Sequence, residues 1–330
     1  MLIGWGRENS PILTMRQPAA LLETSALNYL TKRLLRALFV LIGVSFATFM
    51  VAQSTGDPVA LLIKPNATEE ARRALTEYLG LDKPILAQYG LFLWRALQGD
   101  LGQSFLYNQS VVSLVADRLS NTFLLALASF TIALVLSVTL GVLAALYRNT
   151  WIDAVITMFT MIGLAVPAFW LGLMLILIFA VTWQFFPVSG SDGASSLVLP
   201  ALTLSMQSTA RLCRLVRSGM IEVLNADFIR TARAKGLYET RIVWVHALRN
   251  ALLPVVTMAG LELGDLISSA VVIEAIFAWP GIGRLAIGAV SSRDFPLLQG
   301  TVLVSAFCFV AINLFVDWLY HRIDPRVRNT

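Results

Sequence analysis

The stretch Asp227-Phe-Ile-Arg-Thr-Ala-Arg-Ala-Lys-Gly236-Leu-Tyr-Glu-Thr-Arg241 is a short basic segment between two long apolar segments. It predicts a helix of roughly two turns. Asp227 is a good N-cap residue, because its carboxylate can accept the free amide hydrogen bonds of the first turn. Gly236 suits the left-handed conformation that ends many helices. A polar helix in an apolar protein has two interpretations: a charged loop that only sets membrane orientation, or a docking site for a soluble partner.

The apolar residues of this region predict which side of the helix packs inward. At about 100° per residue, one side collects Ile221, Leu224, Phe228 and Ala232. We expect this side to pack against the rest of the subunit or in a groove of a partner. Arg230 and Arg233 are then expected at the rim of that contact.

The composition is that of a membrane protein. Of the 330 residues, 57% are hydrophobic and 14% are charged, and the mean hydropathy is +0.73. A soluble domain carries about 25% charged residues. Several apolar runs reach the roughly 20 residues that a helix needs to cross a bilayer. We therefore predict an all-α, polytopic membrane protein with about six transmembrane helices.

Six candidate spans divide the chain, at residues 34–54, 119–147, 153–182, 197–217, 251–276 and 298–320. Pro167 lies near the middle of the third span and predicts a kink, because proline removes one backbone hydrogen bond. The region between the first two spans has amphipathic helical character from Thr68 to Gln98. The predicted organisation is a loose tail at 1–32, a first helix at 33–54, an outer cap region at 55–118, a membrane core at 119–320 with a polar loop at 218–250, and a tail at 321–330.

Lysine and arginine are concentrated on one side of these spans, and this side is expected to face the cytoplasm. If the N-terminus is inside, the inner segments carry most of the basic residues, whereas the outer loop 183–196 carries none. Both termini and the loop 218–250 are therefore predicted to be cytoplasmic, and the 55–118 region periplasmic. The net charge of +5 follows from these inner loops, so nucleic acid is not an expected partner.

The sequence shows no constellation for catalysis or metal binding. The two histidines, His246 and His321, lie at the predicted inner surface, so no serine has a base at membrane depth. A Gly-x-x-x-x-Gly-Lys-Ser/Thr phosphate loop is absent, so ATP does not bind this chain by that route. Cys213 and Cys308 have no disulfide or metal-binding spacing. We predict a non-catalytic protein with no cofactor or metal of its own.

Polar residues inside the fourth and fifth spans are candidates for a transport path. Acids at membrane depth are costly and usually face a cavity, an interface or a functional route. By their spacing, Glu262 and Asp265 share a helix face with Ser269, and Ser205 and Gln207 lie in the fourth span. These five residues either line a path for a charged or zwitterionic solute or join helices through hydrogen bonds.

Three arginines, Arg211, Arg214 and Arg217, recur on one face of the fourth span. We interpret them as the anchor of that helix in the inner leaflet, with a gate as the alternative. Glu274 lies near the outer end of the fifth span, where solvation or a helix contact is the simpler interpretation.

The opening stretch resembles the cytoplasmic loop of inner-membrane permeases from binding-protein-dependent ABC importers. Arg230-Thr-Ala-Arg-Ala-Lys-Gly236, followed by His246-Ala-Leu-Arg-Asn-Ala-Leu-Leu-Pro254, is similar to the dipeptide/oligopeptide/nickel branch, closest to the first permease of dipeptide transporters. Arg230-Thr-Ala232 stands where the general family signature has Glu-Ala-Ala. The resemblance covers about residues 30–328, and other segments agree with it in order and spacing: Gly56-Asp-Pro58, Gly99-Asp-Leu-Gly102, Pro167-Ala-Phe-Trp170, Val272–Gly281, Asp294-Phe-Pro296 and Asp324-Pro-Arg326.

The resemblance implies a subunit of an ATP-driven importer in a bacterial inner membrane, in contact with membrane lipid. A similar second permease would pair with this chain, and two ATPase subunits would hold ATP and magnesium. A periplasmic or lipid-anchored binding protein would deliver the solute. The opening stretch would be the coupling helix that docks on an ATPase, through Asp227, Phe228, Arg230, Thr231, Ala232, Arg233, Ala234, Lys235 and Gly236.

Short peptides are the substrate that the resemblance implies, with nickel chelates, glutathione or sugars as alternatives. Two other classes of protein stay open at this point. A secondary transporter or channel would use the fifth-span acids as ion sites and transport by itself. A membrane-embedded hydrolase is the third class, and the lack of a base at depth argues against it.

Overall fold

The computed structural model describes residues 19–54, 59, 68–80 and 82–323. Within these residues the chain is helical, with one isolated β-bridge between Gln103 and Ser110. The helices are α1 (Ala19–Ser54), α2 (Glu69–Leu79), α3 (Ile85–Leu97), α4 (Val111–Leu146), α5 (Trp151–Ala165), α6 (Ala168–Leu175), α7 (Ala194–Leu224), α8 (Asp227–Ala234), α9 (Leu248–Ile276), α10 (Ile282–Ser292) and α11 (Phe295–Ile323). A π-helical segment, Ile176–Thr182, continues α6, and a turn at Glu239–Arg241 with a π-helical segment at Ile242–Ala247 leads into α9.

The described helices confirm the prediction of an all-α polytopic membrane protein. Four segments are long and apolar enough to cross a membrane: Arg33–Gln53, Val111–Leu146, Glu239–Ile276 and Phe295–Val316. The pair α5 and α6 is a fifth candidate if its two parts count as one span. The predicted fourth span corresponds to α7, which has 31 residues but is less apolar because Ser, Thr, Gln and Arg side chains are spread along it.

Several predicted boundaries differ from the observed ones. α1 begins at Ala19, so residues 19–32 are helical rather than a loose tail. α4 begins at Val111, eight residues before the predicted second span at 119. α2 and α3 account for the amphipathic character between Thr68 and Gln98. The predicted tails at 1–18 and 324–330, and Gly56-Asp-Pro58, lie outside the described residues.

The third predicted span is broken rather than kinked. α5 ends at Ala165, Val166 and Pro167 are extended, and α6 starts at Ala168 with its axis 109° from that of α5. Proline restricts the residue before it to extended conformations, so Val166 cannot continue α5. Pro167 therefore separates two helices instead of bending one.

The centre of the bundle is formed by α4, α7 and α9, and α5 packs along α7. Close approach of α4 and α7 depends on Gly141, where a Cβ atom would come within 2.7 Å of Val216 Cβ and 2.9 Å of the Cys213 carbonyl oxygen. α1 packs against α11, and Tyr89 of α3 donates or accepts a 2.8 Å hydrogen bond with Ser45 of α1.

Glu274 is a fully buried acid that organises the turn after α9. Its carboxylate accepts hydrogen bonds from the amides of Gly283 (2.7 Å) and Arg284 (3.2 Å) at the start of α10, and from the Thr122 hydroxyl (2.6 Å) of α4. The positive N-terminal end of α10 compensates the carboxylate. Gly281 carries no side chain because a Cβ atom there would collide with this carboxylate.

Asp294 makes a similar connection at the start of α11. Its Oδ1 accepts the Leu297 amide at 3.2 Å, so it caps that helix. Its Oδ2 accepts the Ser104 hydroxyl at 2.5 Å and the Leu106 amide at 3.0 Å, which holds the loop before α4 against α11. The segments Val272–Gly281 and Asp294-Phe-Pro296 therefore mark buried helix-terminus contacts.

We predict that Gly141→Ala destabilises the fold, because the added methyl overlaps Val216 and the Cys213 carbonyl. Overpacking of this kind costs about 1–3 kcal/mol, and it should lower the thermal unfolding midpoint in detergent. Gly90→Ala in α3 is the matched control, since nothing lies within 4 Å of its added Cβ; it should be neutral or stabilising by about 0.5–1 kcal/mol. Equal midpoints for the two variants would contradict the close packing of α4 on α7.

Candidate functional site

The quoted basic stretch forms α8, a two-turn helix between the long helices α7 and α9. The N-cap prediction for Asp227 was wrong, because the extended residue Ala226 occupies that position and Asp227 is the first helical residue. The Asp227 carboxylate is 96% exposed and lies 3.7 Å from Nη1 of Arg230. An acid in the first turn still interacts favourably with the helix dipole.

The C-terminal prediction for α8 is confirmed at Gly236. Its φ angle is +78°, in the left-handed region that glycine adopts without strain. The Gly236 amide donates to the Arg233 carbonyl at 2.9 Å, and the Leu237 amide donates to the Ala232 carbonyl at 3.3 Å. These bonds satisfy carbonyl groups at the helix end and turn the chain toward α9.

The inward face of α8 is formed by Ile229 and Ala232, both of which are buried. Packing against the rest of the subunit is confirmed for Ala232, whereas Phe228 is 47% exposed and is not part of the buried face, so for Phe228 packing in a groove of a partner stays a prediction. The reason is that α7 ends at Leu224 and α8 starts at Asp227. Because the helix is interrupted there, a spacing of 100° per residue counted from Ile221 does not predict which residues of α8 face inward.

Ile229 and Ala232 belong to one apolar cluster that joins α8 to both neighbouring helices, which we name the coupling cluster. Its buried members are Val142, Ala145, Leu212, Val216, Met220, Ile229, Ala232, Ile242, Val243, Ala247, Leu248, Ala251, Val255 and Ala259. They come from α4, α7, α8, the π-helical segment Ile242–Ala247 and α9. This close packing attaches α8 directly to these helices.

The outward face of α8 is polar, with one large apolar side chain, Phe228. The other exposed members of the predicted docking set are Asp227, Arg230, Thr231, Arg233, Ala234, Lys235 and Gly236. Arg233 is partly neutralised within the chain, since its Nε lies 2.7 Å from Oε1 of Glu239. This hydrogen bond raises the pKa of the Arg233 guanidinium above its ordinary value.

Glu262 does not face an open path but joins α9 to α7. Its carboxylate accepts Nε of Arg211 at 2.5 Å and Nη2 at 2.6 Å, and the Ser208 hydroxyl donates to it at 2.6 Å. The Glu262 side chain is 3% exposed and that of Arg211 is 38% exposed. A bidentate arginine–carboxylate pair with an added hydroxyl satisfies a charge that would otherwise be costly at this depth.

A second bidentate pair joins α7 to α5. Arg217 donates from Nε to Oδ1 of Asp153 at 2.7 Å and from Nη2 to Oδ2 at 2.8 Å. The interpretation of the three arginines as a leaflet anchor therefore needs correction for Arg211 and Arg217, which hold α7 to its neighbours. Arg214, between them, is exposed.

The five predicted path residues do not form one site. Ser205 is buried and donates to the Leu202 carbonyl of its own helix at 2.9 Å. Gln207 is half-buried, whereas Asp265 and Ser269 are exposed on α9. In the described part of the chain, Asp265 makes no hydrogen bond or ion pair at contact distance, but its charge interacts with the Arg211 guanidinium. Glu262 and Asp265 therefore have opposite environments despite their spacing.

Asp153, the buried acid that pairs with Arg217, has no place in the sequence-based site. The available signal was charge complementarity: an acid in one span and an arginine in the next predict a pair. Spacing within a single helix cannot show which span supplies the partner. No group of His, Cys, Asp and Glu side chains that could hold a metal occurs among the described residues.

The geometry is that of a transporter subunit: polytopic helices with an exposed amphipathic helix locked to two of them. The chain belongs to the family of binding-protein-dependent transport system inner membrane components, and its residues 137–329 match the sequence pattern of that family. Residues 26–126 match the sequence pattern of the N-terminal part of the membrane component in the same transport systems. The protein is thus a multi-pass inner-membrane permease of an ABC importer. This assignment favours the ATP-driven interpretation over a gradient-driven transporter.

Similar proteins cover nearly the whole chain. A Brucella abortus (strain 2308) protein, named as a permease of a peptide transport system, is 41% identical over 306 residues, which are 90% of this chain and 98% of that protein. The glutathione transport system permease protein GsiC of Escherichia coli (strain K12) is 39% identical over 303 residues, 92% of this chain and 99% of GsiC. A chain of the inward-facing MetNI methionine ABC transporter shares the fold, with TM-score 0.55 and 18% identity over 64% of this chain and 96% of its own length.

We predict that Glu262→Gln destabilises the bundle, because it removes the bidentate counter-charge of the Arg211 guanidinium between α7 and α9 and leaves it only the electrostatic interaction with the exposed Asp265. Breaking a buried pair costs about 3–5 kcal/mol, and partial exposure of Arg211 places the expected loss at about 3 kcal/mol or below. The thermal unfolding midpoint in detergent should fall, and the exchange Glu262→Arg with Arg211→Glu should restore part of the loss. Asp265→Asn, one turn away and exposed, should leave the midpoint unchanged. A stable Glu262→Gln variant would show that the pair does not hold the helices together.

Proposed function

We propose that this chain is one membrane-spanning subunit of an importer for short peptides, energised by ATP hydrolysis in separate subunits. The family assignment supports the importer role. Two relatives support short peptides as the substrate, since one is named for peptide transport and the other for transport of glutathione, which is itself a short peptide. Nickel chelates are the alternative cargo within the same machinery.

The observation that carries the proposal is the joining of α8 to α7 and α9 through the coupling cluster. An ATPase subunit that docks on the exposed face of α8 can then move both long helices. Two ion pairs support this movement. The Arg217–Asp153 pair connects α7 to α5, and the Arg211–Glu262 pair keeps α7 and α9 together. A partner shifts the balance between two transporter states only if it binds one of them better, and a rigidly mounted docking helix provides that difference.

The assembly we propose contains this chain, a homologous second permease, two ATPase subunits and a periplasmic or lipid-anchored binding protein. Both termini and the loop 218–250 face the cytoplasm, and the 55–118 region faces the periplasm. ATP and magnesium bind the ATPase subunits, and this chain is non-catalytic. The inward-facing methionine transporter supports the shared fold alone.

We further propose that the exposed polar face of α9, with Asp265 and Ser269, contributes to the translocation path. Charges at membrane depth avoid lipid and face protein or water-filled cavities. Asp265 is exposed, makes no hydrogen bond within the described chain and interacts electrostatically with Arg211 of the Arg211–Glu262 pair. A zwitterionic peptide could therefore bring its ammonium group to Asp265 in passing.

We predict that Phe228→Ala weakens docking of the ATPase subunits, because Phe228 is the large apolar side chain on the outward face of α8. Loss of a central aromatic contact should reduce ATPase co-purification about tenfold, corresponding to about 1.4 kcal/mol. The fold should stay intact, since the side chain lies outside the coupling cluster's buried members.

The matched control is Phe185→Ala, which removes an exposed phenylalanine from the loop predicted to face the periplasm. It should retain ATPase subunits at the unsubstituted level, with coupled ATP hydrolysis unchanged. Equal retention of the ATPase subunits by both variants would contradict the proposal that Phe228 contacts an ATPase subunit.

We predict that Asp265→Asn reduces peptide uptake several-fold without changing stability, because exposed substitutions shift stability by about 0.5 kcal/mol or less. The measurement is uptake of a labelled dipeptide by proteoliposomes that contain the complete transporter and its binding protein. Asp192→Asn, an exposed acid in the 183–196 loop, is the control and should transport normally. Undiminished uptake by Asp265→Asn would remove this residue from the path.

A further inference from the structure

α7 carries a stripe of polar side chains along the half that leads to α8. Its members follow each other at intervals of three or four positions, so they lie on one face of the helix. We name these five residues the polar stripe of α7: Gln207, Arg211, Arg214, Ser218 and Glu222. The last three are exposed and the first two are half-buried, so the stripe is the side of this half of α7 that the bundle leaves open.

The polar stripe lies within the membrane layer. α7 has 31 residues, a length of about 46 Å, against about 40–45 Å for a bilayer with its headgroups. Arg217 is near one surface, because it pairs with Asp153, the third residue of α5. Arg214 lies three residues, or about 4.5 Å, deeper along α7, and Arg211 lies about 9 Å deeper.

Lipid does not fit the polar stripe. A helix in contact with hydrocarbon exposes apolar side chains, and α5 does so, since its exposed residues are Trp151, Ala154, Val155, Met158, Phe159, Met161, Ile162 and Ala165. The polar stripe of α7 has no large apolar side chain. Charged groups at membrane depth face protein or water-filled space, so the stripe borders one of these.

Arg214 is the member of the stripe whose positive charge has no partner in contact. Arg211 forms the bidentate pair with Glu262. Within the part of the chain that the structure describes, Arg214 makes no hydrogen bond and no ion pair. Its side chain lines an open cleft of about 440 Å³ between α7 and α9, which Arg211, Leu212, Leu215, Ser218 and Met258 complete. The cleft therefore presents a free guanidinium to whatever enters it.

The exposed acid Asp265 and the exposed Arg214 stand at different levels of the same pair of helices. α7 and α9 run antiparallel, because buried residues between 212 and 220 pack with 247–259, and those between 199 and 204 pack with 266–277. The Arg211–Glu262 pair sets their register. Three residues from Arg211 to Arg214 and three from Glu262 to Asp265 lead in opposite directions, so the two levels differ by about 9 Å.

We propose that the cleft beside Arg214 binds the terminal carboxylate of a peptide as it passes along the path. The inference rests on the proposed function, which supplies a short peptide as the cargo. A guanidinium presents parallel N–H donors that match a carboxylate. An extended peptide advances about 3.3–3.6 Å per residue, so the separation of Asp265 and Arg214 fits a chain of two or three residues. Its ammonium group then lies at Asp265 and its carboxylate at Arg214.

The binding test uses the assembled transporter without its binding protein, so that the membrane subunits alone respond to the peptide. Ser218→Cys places a thiol in the cleft, and mass spectrometry follows its modification by a maleimide separately from that of Cys213 and Cys308. Glycylglycine should slow this modification several-fold, whereas glycylglycine amide, which lacks the carboxylate, should not. Adding Arg214→Gln should abolish the protection. No protection by glycylglycine, or equal protection by its amide, would overturn the proposal.

A second measurement is uptake of a labelled dipeptide by proteoliposomes that contain the complete transporter and its binding protein. Arg214→Gln should reduce uptake several-fold, and Arg214→Lys should restore part of it, because lysine keeps the charge but not the paired donors. Arg148→Gln, an exposed arginine in the turn between α4 and α5, is the control and should transport normally.

The two measurements together separate the possible partners of Arg214. Reduced uptake by Arg214→Gln without peptide protection of the Ser218→Cys thiol would show that Arg214 contacts a lipid phosphate or an acid of another subunit, and would overturn the proposal. Failure of the unsubstituted transporter to take up dipeptide would instead contradict the proposed function, because the protection measurement does not depend on transport.

Discussion

A buried charge in an apolar bundle requires a compensating charge or helix terminus, and this constraint organises the whole subunit. Among the residues that the structure describes, the buried acids are Asp153, Glu262, Glu274 and Asp294. Two of them take bidentate arginines of α7, and the other two accept amides at the starts of α10 and α11. Each of these acids also has a partner that is distant in sequence, since Thr122 donates to Glu274 and Ser104 donates to Asp294, so the buried acids help to determine which helices are neighbours.

This arrangement explains how a small helix can act on a large bundle. α8 contributes two buried side chains, Ile229 and Ala232, to the coupling cluster, and the rest of its surface stays available to a partner. If a partner displaces α8, close packing would pass the displacement to α7 and α9, and the Arg217–Asp153 pair would pass it from α7 to α5.

Groups that the subunit leaves unsatisfied indicate what the complete transporter must add. Asp265 is an exposed acid that makes no hydrogen bond in the described chain, although it interacts electrostatically with the Arg211 guanidinium. A charge at membrane depth faces protein or water rather than lipid, so we expect the complete transporter to keep this side chain away from the bilayer. An isolated permease chain therefore exposes polar groups that we expect the assembled transporter to enclose.

The sequence by itself determined the all-α membrane class, the long helices and the C-terminal glycine of α8, because hydropathy, helix length and left-handed glycine are local properties. It also predicted Ala232 as inward-facing. Only the tertiary structure decided that Phe228 faces outward, that Pro167 separates two helices, and that Glu262 is paired whereas Asp265 is exposed. Helical spacing places residues on a face within one uninterrupted helix, but a break resets the phase, and the partner of a charge depends on which helix packs beside it.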